Sequence, residues 1–174
     1  QVFAPMHWTG QTAPSARIDA LVAAMTDPVS GQPESKASVV ALSRFEADWY
    51  GFAVSRAEMT PKAEYWAMAR TKHGYRAELA GLTPCKDWEE EAKRLFDAPG
   101  AEVTSVLDAG RGVARVALYE AGALIGAVFV APRPVAVMHD YLMGLPGGAA
   151  EAVLQGRPAA DVPNPGPVLC SCLG

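Results

Sequence analysis

Hydrophobic positions recur with two different periods along this chain. Near the start, Ile18, Leu21, Val22 and Met25 fall at i, i+3, i+4 and i+7. That spacing predicts a short amphipathic helix over residues 14–25, with Ser15 as cap and Asp27-Pro28 as stop. A turn-rich stretch, Ser30-Gly31-Gln32-Pro33-Glu34, leads to a strand expected over 38–42. One helix and one strand leave much backbone unpaired, so this section is expected to pack on other elements.

From Trp49 the pattern becomes strand-like. Strands are expected over 49–54, 64–70 and 75–80, the last two joined through Lys72-His73-Gly74, where Gly74 can take positive φ. Tyr75, Ala77 and Leu79 alternate with Arg76 and Glu78, so this arm should have one buried and one wet face. Residues 87–96 read as the clearest helix. Asp87 and Glu90 have capping-box spacing, and Trp88, Ala92, Leu95 and Phe96 form the apolar stripe. Glu89/Lys93 and Glu90/Arg94 are i,i+4 pairs, and Glu89-Glu90-Glu91 suits the positive end of the helix dipole. Ala98-Pro99-Gly100 should stop it.

A second hairpin is expected over 113–119 and 124–130, turning at Glu120-Ala121-Gly122. Its return arm is apolar on both faces, which predicts a central strand with Gly126 where a backbone or ring comes close. A last helix starting at Pro134 would carry Met138, Tyr141, Leu142 and Leu145 and end at Gly147-Gly148. A shorter helix over 149–154 would lead to Gly156, followed by a proline-rich linker from 157 to 167. No internal repeat is visible. The expected fold class is α+β, rich in antiparallel strands.

Composition narrows the function classes. The chain has 174 residues, half of them hydrophobic, ample for a core. A net charge of -4 gives no footprint for a phosphate backbone, so no nucleic-acid partner is expected. The longest apolar run, 123–131, is strand-sized, so no membrane partner is expected either. Three cysteines, Cys85 isolated and Cys170-x-Cys172 paired, make no disulfide framework and favour a reducing, cytoplasmic setting. Gln1 opens the sequence without initiator Met or signal peptide, and the Cys-x-Cys looks like half of an iron-sulfur site; the polypeptide is therefore expected to be a fragment.

Reactive constellations are scarce. There is no Ser/His/Asp arrangement, phosphate-cradling Gly-rich loop or paired carboxylates in a credible cleft. His73 and His139 have no second ligand at metal spacing, and Cys85 reads as a packed or partly exposed thiol. Taken alone, His7-Trp8 after Pro5 reads as an aromatic clasp on a barrel rim and Lys36 as a solvated lysine. Half a thiolate set binds iron poorly, so this chain by itself is expected to hold no cluster.

Two motifs carry a resemblance. Ala4-Pro5-Met6-His7-Trp8, then Ala16-Arg17-Ile18-Asp19-Ala20-Leu21 and the string from Asp27 to Lys36, Asp-Pro-Val-Ser-Gly-Gln-Pro-Glu-Ser-Lys, resemble the end of the molybdopterin-dinucleotide-binding domain of bacterial assimilatory nitrate reductases. The wider family includes periplasmic nitrate reductases and formate dehydrogenases. Leu154, Gly156, Arg157 and Pro158, followed by Gly166-Pro167 and Cys170-x-Cys172, resemble the passage that leads those enzymes into a domain similar to bacterioferritin-associated ferredoxin. There a second Cys pair completes a [2Fe-2S] site. The second hairpin is also similar, at fold level, to a strand pair in flavin-dependent pyridine-nucleotide reductases, a domain that precedes a similar Cys-x-Cys module in nitrite reductases.

The resemblance implies three sections: the end of a double-psi β-barrel over 1–44, an α+β middle domain over 45–156, and a linker with the truncated start of a [2Fe-2S] domain over 157–174. It implies reduction of nitrate to nitrite at molybdenum held by two molybdopterin guanine dinucleotides, with [4Fe-4S] and [2Fe-2S] clusters in the parent protein. His7 and Trp8 would lie beside the substrate funnel, and Asp19, Gln32, Glu34 and Lys36 at the pterin or its phosphates; some relatives carry Asn in place of Asp19. Lysine suits a phosphate or pterin oxygen, and a carboxylate suits an amino-pyrimidine edge. Cys170 and Cys172 would be iron ligands. No residue here is expected to be catalytic, and the isolated chain is expected to be inactive. Implied partners are the rest of the reductase and an electron-donor flavoprotein or ferredoxin. Two alternatives stay open: residues 45–150 as a non-catalytic docking spacer, and another molybdopterin oxidoreductase such as a formate dehydrogenase.

Overall fold

The computed structural model describes residues 28–31, 46–150 and 152–159. The helix expected over 14–25, the strand over 38–42, the 44/45 boundary and the linker beyond 159 lie outside them. Among the described residues six strands form one antiparallel sheet: β1 (Trp49–Ser55), β2 (Tyr65–Thr71), β3 (Gly74–Gly81), β4 (Glu102–Asp108), β5 (Val113–Glu120) and β6 (Ala123–Ala131). Their spatial order is β2-β3-β1-β6-β5-β4. Both expected hairpins are present, and β1 joins them by pairing with β3 on one side and β6 on the other. Helices are few, so the described part is α+β.

Each face of the sheet has its own core. On one, helix α1 (Trp88–Leu95) sets Ala92, Leu95 and the following Phe96 against Ala53, Ala77, Leu118 and Val128. On the other, helix α2 (His139–Met143) and the 3-10 turn Val153–Gln155 set Leu142 and Val153 against Phe52, Leu124 and Phe129. Strand β6 is central, as its two-sided apolarity predicts. Burying Phe52 or Phe129 fully is worth about 1.5–3 kcal/mol each.

Strand β4 is the element the pattern does not predict. Val103 packs on the core, but Val106 and Leu107 are 55% and 52% exposed. Their adjacency breaks the alternation that marks a half-buried strand, so pairing with β5 holds this edge rather than burial. The first hairpin turns through Lys72-His73, with Gly74 opening β3 at φ +146°, where a Cβ would stand 2.0 Å from the carbonyl oxygen of Ser55.

Helix α1 forms where expected, with different side-chain partners. Asp87 caps it, accepting from the backbone N–H of Glu89 and Glu90 at 3.1 Å each. The Glu90 carboxylate, expected to close the box, instead accepts from Lys93 Nζ at 2.6 Å; this bond, countered partly by desolvation, holds the ammonium above its ordinary range. Charge pairing is i,i+3, Lys93 with Glu90 and Arg94 with Glu91, because Ser105 Oγ on β4 occupies Glu89.

Toward the end, the long helix expected from Pro134 shrinks to the five residues of α2. Met138 supplies no side-chain cap, and Gly144 closes the helix. The helix expected over 149–154 is the single 3-10 turn, closed by Gly156 at φ +71°. This section is anchored by strand edges and side chains instead. Leu124 exchanges backbone hydrogen bonds with Gly147 and Gly148, Arg115 donates to the Leu154 carbonyl at 2.7 Å, and Tyr119 to that of Ala150 at 2.8 Å.

Candidate functional site

The residues expected at cofactors, His7, Trp8, Asp19, Gln32, Glu34, Lys36, Cys170 and Cys172, all lie outside the described residues. Among the described residues no group of three or more His, Cys, Asp or Glu could hold a metal ion, and the free thiol is Cys85, half-exposed with Sγ 3.2 Å from the Asp87 carbonyl oxygen. His73 is exposed in its loop.

The sheet register builds a groove that the sequence did not announce. Ala80 on β3 stands opposite Tyr65 on β2 and also opposite Tyr50 on β1. Residues opposed in register share a face, so two tyrosines flank one methyl group across three strands, about 10 Å apart at strand spacing. One register row along, Glu78 stands opposite both Ala67 and Phe52. Small side chains thus keep the floor low while rings form the walls. His139, at the start of α2, completes the far wall, its ring stacked on buried Phe52 with centroids 4.0 Å apart and planes 3° from parallel. The cavity is about 380 Å³, within the range of small-ligand sites.

Its electrostatics are modest. Glu78 Oε1 lies 3.9 Å from Arg76 and 3.9 Å from His139 Nδ1, and the Glu78 side chain is half-exposed, so these pairs contribute little. Among the described residues no Ser, Thr, Cys or Lys lines the groove. Stacked rings around a small floor with one carboxylate suit binding rather than covalent chemistry. The hairpin loop gives the Tyr65/Ala80 register from sequence, whereas the β1 pairing that brings in Tyr50 is long-range and has no local signal.

A second cavity of about 480 Å³ lies beside the start of α1, among Trp49, Cys85, Trp88 and Pro132. Three of its carboxylates have structural duties: Asp87 caps α1, Asp108 accepts from the Arg111 backbone N–H, and Glu89 accepts from Ser105 Oγ.

The chain is 30% identical over 185 aligned residues to a nitrate reductase of Klebsiella oxytoca, an alignment that takes in 98% of this chain and 20% of that protein. The chain therefore spans a fifth of the length of this curated relative. No protein-family model matches it, and no solved structure gives a significant match.

Proposed function

We propose that this chain is part of a cytoplasmic, molybdenum-dependent assimilatory nitrate reductase, which reduces nitrate to nitrite. The observation that carries the reading is the 30% identity extending over nearly the whole chain. On this reading residues 1–44 end the double-psi barrel that binds molybdopterin guanine dinucleotide, with His7, Trp8, Asp19, Gln32, Glu34 and Lys36 toward the cofactor. The sheet domain of 45–156 contributes packing and position, consistent with a groove walled by aromatic rings. Residues 157–174 lead into a [2Fe-2S] electron-entry domain whose first ligands are Cys170 and Cys172. Molybdenum would supply the oxygen-transfer centre and the iron-sulfur clusters the electrons.

Metal analysis of the protein carrying this chain tests the reading. Molybdenum should be present, with more iron than one [4Fe-4S] cluster contains. Cys170→Ser should remove the iron of one [2Fe-2S] cluster and its electron paramagnetic resonance signal while leaving molybdenum in place. Iron and flavin without molybdenum would overturn the reading. The isolated chain should not turn over nitrate with a reduced dye.

A second role for the same domain is that of a non-catalytic docking spacer that receives the electron donor, favoured by a well-formed sheet with a core on each face. Equal binding of the donor flavoprotein or ferredoxin by a reductase lacking 45–150 would sink this role.

A further inference from the structure

The open edge of the sheet meets the cavity beside α1 at strand β4. This strand ends the sheet order, and among the described residues no backbone group bonds to its outer side. Every second residue of an edge strand turns its N–H and C=O away from the sheet, so β4 offers a row of donors and acceptors about 20 Å long. Its sequence, Glu-Val-Thr-Ser-Val-Leu-Asp, holds no Lys or Pro to blunt that edge, and its ladder with β5 is unbroken. The apolar pattern is that of a strand with a neighbour on each side. Leu107 shares a face with Val103, which packs on the α1 core, and with Ser105, which donates to Glu89; Val106 lies on the opposite face, and both it and Leu107 are more than half exposed. A strand laid along β4 covers the two at once.

Charge selects the occupant. Glu102 and Asp108 close the two ends of β4, and a second copy paired symmetrically about Ser105 would set one against the other, acid opposite acid, at both ends. A strand with basic ends fits instead. At the Asp108 end, the cavity of about 480 Å³ seats a long side chain, since Leu107 and Asp108 belong to both strand and cavity. Trp49 and Trp88 stand there in edge contact, 5.0 Å between centroids, and four carboxylates line the cavity against the ammonium of Lys86. Arg111 lies 3.7 Å from Asp108 but is exposed, so it neutralises little. Indole faces beside carboxylates suit an ammonium or guanidinium group.

We propose that β4 is a docking edge for an extended segment of a separate protein, with basic residues at its ends and β-branched residues between them. Main-chain hydrogen bonds to β4 supply the affinity, and one basic side chain in the cavity beside Trp88 supplies the selectivity. The surface does not rest on the nitrate reductase reading, which metal analysis tests by itself.

Titration of the full chain, labelled with nitrogen-15, tests the edge. The probe is a capped peptide, Lys-Val-Thr-Val-Ile-Thr-Lys, whose lysines meet Glu102 and Asp108 whichever way it runs; the control carries Glu at both ends. The basic peptide should shift the amides of 102–108 and the Trp88 indole N–H, and bind about tenfold or more tighter than the control. Glu102→Lys, at an exposed position, should bring the two affinities within about threefold of each other with unchanged circular dichroism. No shifts, shifts confined to other strands, or equal affinity of the two peptides for the unsubstituted chain would each overturn the proposal. So would concentration-dependent shifts at 102–108 in the free chain, which mark self-pairing. Slow hydrogen exchange of the outer β4 amides in the intact parent protein alone would overturn it too, by showing that the parent covers its own edge.

Discussion

Gly126 on β6 lies against the ring of Phe96: a Cβ there would stand 2.8 Å from Phe96 Cδ1 and Cε1, and 2.9 Å from the carbonyl oxygen of Val54. The glycine lets α1 seat its last aromatic residue on the sheet where β6 meets β1. Gly126→Ala should destabilise the fold by about 1–3 kcal/mol through overpacking. Urea unfolding checks this, and an unchanged midpoint would refute the close approach. Adding Phe96→Leu should restore only part of the loss, because the Val54 backbone remains in the way.

Helix α1 ends in a Schellman motif built on an aspartate. Ala98 N–H donates to the Lys93 carbonyl at 2.9 Å, Asp97 N–H to that of Arg94 at 3.3 Å, and Asp97 itself sits at φ +50°. Glycine suits that position better, and a carboxylate at a helix C-terminus opposes the dipole. Asp97→Gly should therefore raise stability by about 0.5–1 kcal/mol, offset slightly by the freer unfolded chain. A lower melting temperature would show that Asp97 has a compensating role.

The second hairpin carries a similar mismatch. Ala121 and Gly122 both have positive φ, +49° and +78°, as a type I′ turn requires, but alanine is a poor first residue for it. Ala121→Asn should stabilise by about 0.5–1 kcal/mol. Thermal unfolding reads the gain directly, and no shift would mean that the loop is not limited by its backbone.

These mismatches show which parts of the fold sequence patterns reach. Both hairpins, the capped helix and the crowding at Gly126 were legible, because turn residues, periodicity and a glycine in an apolar strand are local signals. Strand β4 was not: Val106 and Leu107 are adjacent and exposed, and a neighbouring strand alone defines that edge. The short α2 escaped for a related reason, since the apolar residues from Val135 to Leu145 follow a helical period yet pack largely from irregular backbone. In the groove, Tyr65 and Ala80 are hairpin partners and could be paired in advance. Tyr50 and His139 arrive through contacts far apart in sequence. The cofactor-facing residues named from resemblance lie outside the described residues, so the groove adds to that list rather than testing it.

Tyr119 ties stability to alkaline pH. Burial raises the pKa of its phenol above the ordinary value of 10.0, and its hydroxyl donates to the Ala150 carbonyl at 2.8 Å. The folded state therefore holds the proton more tightly than the unfolded state. Below pH 10.0 the neutral phenol's contribution is fully present; it is lost as pH rises through the folded-state value, where the folded chain must also ionise. Tyr119→Phe should cost about 0.5–1.5 kcal/mol near neutrality through the lost hydrogen bond, since the Ala150 carbonyl loses its partner. The variant should also lose less stability than the parent between pH 9 and 11, the range spanning that ordinary value. Urea midpoints at stepped pH measure both effects. Parallel alkaline profiles would place the titrating group elsewhere, even if the neutral-pH loss is observed.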